Sequence, residues 1–89
     1  MSKNNEIVTV VAATGEYVGR LAKIDETGIV LLNPRMITFE GENMGFARGI
    51  AMTGEVDPAE VTILSPVMMT PTAEVVSKAW QEHTSGLIL

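Results

Sequence analysis

The sequence predicts a mainly β fold: a small, curled, five-stranded sheet followed by one C-terminal helix. Three observations carry that expectation. Short runs rich in β-branched residues alternate with glycine, proline and acidic turn residues over the first two thirds of the chain. The apolar period then changes from two to about three and a half after residue 70. Finally, 89 residues with no cysteine allow one domain, spanning 1–89, whose core must hold without disulfides or a zinc knot. A core that small makes self-association plausible from the outset.

Ile7 to Ala13 reads IVTVVAA, a strand with Val8, Val10 and Ala12 on one face, closed by a turn at Thr14-Gly15. Tyr17 to Ile24 forms a second strand interrupted by Gly19, where a missing side chain permits a bend or bulge. Asp25-Glu26-Thr27-Gly28 has the composition of a tight turn. Ile29 to Leu32 is a third strand that can continue through Phe39, with Pro34 confined to an edge or bulge. Glu40 to Asn43 breaks the pattern, and Phe46 to Thr53 reads as a fourth strand. Gly54 to Glu60 is a turn and Val61 to Leu64 a fifth strand, so the strands occupy about 7–64.

Thr70 can cap a helix with Pro71 as its first residue, because proline there surrenders an amide that has no partner anyway. Thr72, Val76, Ala79, Trp80 and His83 then form one stripe, and Gly86 supplies a stop, giving a helix over about 71–84. Trp80 reads as core, and the lone His83 as a packed or surface residue. The apolar tail Leu87-Ile88-Leu89 suits a contact between subunits, since three exposed apolar residues need a cover.

Composition narrows the function. Six Lys plus Arg against eleven Asp plus Glu give a formal charge of -5, the wrong sign for wrapping nucleic acid by counterion release. The polar segment Met1 to Glu6 lacks the apolar run of a secretory signal, and no stretch approaches a membrane span, so a cytoplasmic protein without membrane partners is expected. No nucleophile with a histidine in a recognisable order, no glycine-rich phosphate loop and no ligand cluster with metal spacing is present, so no enzyme, cofactor or metal is expected.

The residues Val8, Val10, Ala12, Gly15, Gly19, Leu21, Asp25, Val30 and Leu32 resemble, in type and spacing, the first motif of the Sm/LSm family. Gly15 and Gly19 stand four apart where the family usually has five. The likeness covers about 25 of the 89 residues. It implies a strongly bent five-stranded barrel that pairs edge to edge into a homo-oligomeric ring and binds nucleic acid. It also implies a site: an aspartate, an aromatic residue two positions on, an asparagine four on, and an Arg-Gly pair. Asp25 and, by type, Arg48-Gly49 fit that pattern, whereas Thr27 cannot stack on a base and Ile29 cannot pair with a base edge.

The nucleic-acid candidates are therefore Arg20, Lys23, Asp25, Arg35, Arg48 and Gly49. Arg20, Lys23 and Arg35 are the basic concentration of the first half, either a solvated face or, once repeated around a ring, a circle of phosphate contacts. Arg48 is favoured as a strand cation paired with a carboxylate over a nucleotide-stacking group, and Asp25 as a turn former. The leading expectation is a non-enzymatic ring that binds RNA or DNA through a non-standard surface. The alternative is an adaptor ring with protein partners, which the net charge favours.

Overall fold

A computed structural model of the chain describes residues 6–47 and 50–85. Its strands are β1 (Ile7–Ala12), β2 (Gly15–Asp25), β3 (Gly28–Glu40), β4 (Asn43–Phe46), β5 (Glu60–Leu64) and β6 (Met68–Pro71), followed by the helix α1 (Glu74–Ser85). All pairings are antiparallel, in the order β4-β3-β2-β1-β6, with β5 also on β3. The result is a curved sheet with a single C-terminal helix.

Several of the expectations need correction. The sheet has six strands instead of five, and it does not close into a barrel among the described residues. The expected fourth strand, Phe46 to Thr53, is displaced: β4 begins at Asn43 because Gly41, at φ 63, makes a two-residue turn that lays Met44 against Phe39 at once. Residues 50–59 then form turns and bends. The sixth strand takes Thr70 and Pro71, the expected cap and first residue of the helix, by pairing Thr70 with Thr9 and Pro71 with Val8. Proline is tolerated at the end of this outer strand, where its missing amide breaks no inner ladder. The helix consequently starts at Glu74.

β4 and β5 occupy one line along β3. The Ala47 amide donates to the Met36 carbonyl (2.7 Å) and the Asn33 amide donates to the Ala59 carbonyl (2.7 Å), which extends the β4 ladder on one side and the β5 ladder on the other. The six strands therefore fill five positions across the sheet, the last one split by an excursion of the chain.

The long third strand runs past Pro34 as the sequence suggests. Its register against β2 shifts between Val18 and Arg20, where Asn33 adopts φ 49 and β3 carries an extra residue. A second shift lies between Leu21 and Lys23. Gly19 sits inside the first shift, close against Leu31, Leu32 and Pro34, so its lack of a side chain lets two strands approach where the sheet bends.

Alternation then sorts the side chains. Val8, Val10, Tyr17, Leu21, Ile29, Leu31 and Ile63 form the core on one face, with Met36, Ile50, Val61 and Met69 packed around them. Val18 and Thr9 point to the other face, and Thr9 shares a hydrogen bond with Thr72 (2.9 Å) just before the helix. There α1 buries Trp80, whose Nε1 donates to the Asn33 carbonyl (3.0 Å), so the bulge that bends β3 also anchors the helix. His83 stays exposed and stacks its ring on Phe46 at 5.1 Å.

Candidate nucleic-acid interface

Asp25 ends β2 and organises the turn into β3. Its Oδ1 accepts from the Thr27 amide (2.8 Å), the Thr27 hydroxyl (2.6 Å) and the Gly28 amide (3.2 Å). The Thr27 hydroxyl, then the Thr27 amide, the Lys23 ammonium and the Gly28 amide hold this carboxyl well below the usual carboxylate range, since each favours the charged form. The turn-forming role of Asp25 is thus satisfied from within the chain.

The positions that the Sm/LSm resemblance would give to base recognition are also occupied by structure. Thr27 is exposed but spends its hydroxyl on Asp25, and Ile29 is buried in the core. Neither offers a stacking face or an amide to a base. Arg48 and Gly49 lie outside the described residues.

The three cations of the first half meet three different surroundings. Arg20 lies over the Trp80 ring, 5.5 Å from its centroid, an attraction between a cation and the negative face of the π system. With Asn33, Gln81, Thr84 and Ser85 these two residues line a polar cleft of about 350 Å³. Lys23 is paired with Asp25 at 3.2 Å, and both side chains are well exposed, so the pair adds little stability and yields readily to another anion. Arg35 is buried, 7% exposed, and therefore does not contribute to a solvated basic face. Its Nη1 donates to the Pro34 carbonyl (2.8 Å), and its Nε stands 3.7 Å from Asp57 Oδ1. The structure gathers Arg20 and Lys23 on one strand but withdraws Arg35 from their surface.

Two contacts escape a reading of the sequence. The Arg20–Trp80 contact joins residues sixty positions apart, and no local pattern announces it. The Asp57–Arg35 approach depends on an excursion that splits a strand position. A signal for the latter exists in Asn33-Pro34, a turn-favouring dipeptide in the middle of an apolar strand.

No helix among the described residues is long and apolar enough to cross a membrane. No protein-family model, curated protein or solved structure matches the chain.

Proposed function

We propose that the chain is a subunit of a non-enzymatic, Sm-like homo-oligomeric ring that binds single-stranded nucleic acid, RNA or DNA, through its phosphates. The open sheet carries this reading. β6 presents one outer edge and β5 the opposite one, and exposed Leu64 in β5, Met68 in β6 and Val67 beside it supply apolar surface there. Unpaired edges are templates for another chain, and pairing unlike edges head to tail generates a ring when the rotation closes. The resemblance in the first motif points the same way and extends to a small Sm-like protein attributed to cyanophage in marine metagenomic sequence. That origin would place the ring in the cytoplasm of a bacterial host.

Phosphate contact, without base reading, follows from the side chains. Thr27 and Ile29 replace the groups that stack on and pair with bases, while Arg20 and Lys23 remain at the surface of β2. Phosphate contacts position a strand without specifying its sequence. The test is binding of labelled single-stranded RNA and DNA over a salt series, with charge reversals at Arg20, Lys23 and Arg48. Weak, sequence-indifferent binding that falls steeply with salt is expected. Tight, uridine-preferring binding that survives high salt would refute the phosphate-only mode.

A second reading, an adaptor ring with protein partners, is favoured by the formal charge of -5 repeated in every subunit. Absence of nucleic-acid binding at low salt would select it.

A further inference from the structure

The excursion between β4 and β5 brackets one side chain. The chain leaves β3 opposite Met36 and rejoins it opposite Asn33, so the residues skipped on β3 are Pro34 and Arg35. Proline has no amide to donate, which lowers the cost of a gap at that point. Arg35 is the more consequential of the pair, because its guanidinium brings a positive charge and a fixed array of N–H donors.

Its surroundings leave that charge incompletely matched. The side chain is 8% exposed, and its Nε is a buried nitrogen without a hydrogen-bond partner among the described residues. The facing anion is Asp57, on the returning arm of the excursion, but Oδ1 lies 3.7 Å from Nε, beyond hydrogen-bonding distance. A pair that existed to secure the fold would make the bidentate contacts that offset desolvation. Here the donor is aimed and the acceptor stands back. Asp57 itself is half exposed, and the stretch 51–57 is exposed throughout, with Met52 wholly so. Moving so exposed a segment uncovers less apolar surface than opening the core would.

We propose that Arg35 is a binding site for a phosphate oxygen and that the Asp57 carboxylate is its built-in occupant, displaced when phosphate arrives. A free phosphate ion and the phosphodiester of a nucleic-acid strand present the same oxygen to the guanidinium, which favours both over a point-charge partner by its planar array of donors. The site itself does not depend on the ring reading; its assignment to a nucleic-acid strand rests on that reading. In that case Asp57, with Glu55 and Glu60 beside it in sequence, acts as a competitor that keeps the wild-type affinity low.

The test compares the wild-type chain with Asp57→Asn, which keeps the shape of the loop residue and removes its charge. Inorganic phosphate is added against chloride at constant ionic strength. Without the carboxylate, phosphate becomes the counter-ion of Arg35, and at ten times its Kd it should raise the melting temperature of the variant by about 6–11 °C, and that of the wild type by clearly less. In ¹⁵N-labelled Asp57→Asn protein the Arg35 Nε–H resonance should shift saturably with phosphate, which locates the site without mutating the buried arginine. Equal thermal responses of the two proteins, or an Arg35 resonance indifferent to phosphate, would overturn the proposal.

A second arm uses a labelled single-stranded oligonucleotide at low salt. At least fivefold tighter binding by Asp57→Asn identifies the strand as the source of the phosphate, whereas a response to phosphate alone identifies the free ion. Failure of both proteins to bind the oligonucleotide would refute the nucleic-acid ring while the phosphate arm still decides the site.

Discussion

Gly28 and Gly41 both belong to turns, yet they need glycine for different reasons, and substitution separates the two. At Gly28 a Cβ would overlap the Ile63 carbonyl oxygen and stand 3.3 Å from Leu64 Cα, so β5 would have to move away from β3. The backbone there is not left-handed, so no conformational strain is involved. Replacing a strand glycine by alanine normally stabilises by about 0.5–1 kcal/mol. Overpacking against backbone costs about 1–3 kcal/mol, and with a backbone atom in the way the upper end applies. A net loss of about 2 kcal/mol is expected for Gly28→Ala, or a fall in melting temperature of about 8–16 °C for a chain this size. At Gly41 nothing lies within 4 Å of a Cβ, but φ is +63. Alanine there costs about 1–2 kcal/mol by conformation alone, and asparagine, which tolerates that conformation, costs less. Thermal denaturation of Ala and Asn variants at both positions is the assay. Asparagine should rescue position 41 and fail at position 28. A Gly28→Asn protein as stable as wild type would refute the close approach of β5 to the turn.

Other expectations follow from the same contacts. Gly19→Val should lower stability by more than about 1 kcal/mol, because a Cβ would already lie 3.1–3.2 Å from Leu31 Cβ, the Leu32 carbonyl and Pro34 Cα; an unchanged urea midpoint would show that the strands do not converge there. Trp80→Phe removes the hydrogen bond to the Asn33 carbonyl and weakens the contact with Arg20, for an expected loss of about 1–2 kcal/mol, checked by urea denaturation. Asp25 has a folded-state pKa below its ordinary value of 3.8, so its stabilising contribution is complete above that value and is lost as pH falls below it; Asp25→Ala should therefore flatten the acid limb of the stability profile between about pH 4 and 2, and a profile parallel to wild type would contradict this.

The sequence carries the local architecture well and the long-range architecture poorly. β1, β2, β3 and β5 are legible because β-branched runs and turn residues act within a few positions, and Gly19 and Pro34 mark the bend they produce. β6 is hidden in Met68–Pro71, since Thr-Pro ahead of an amphipathic run has the chemistry of a helix start and only pairing with Val8 and Thr9 makes it a strand. β4 is misplaced because Gly41 makes a tight hairpin out of a segment that composition alone reads as a loop. For the candidate site, Asp25 as a turn former follows from its own sequence, and so does the loss of base-reading groups at Thr27 and Ile29. The burial of Arg35 does not, because it depends on the excursion between Ala47 and Ala59 returning an acidic loop to a residue skipped by the ladder. The tail Leu87–Leu89, assigned to a subunit contact, lies outside the described residues.

The proposed ring requires that the two sheet edges left unpaired among the described residues be completed by copies of the same chain. Multi-angle light scattering at micromolar concentration decides whether they are. The open sheet predicts a single species of several chains, whose mass is a multiple of 9.5 kDa larger than one and does not fall on tenfold dilution. A mass of 9.5 kDa would contradict it.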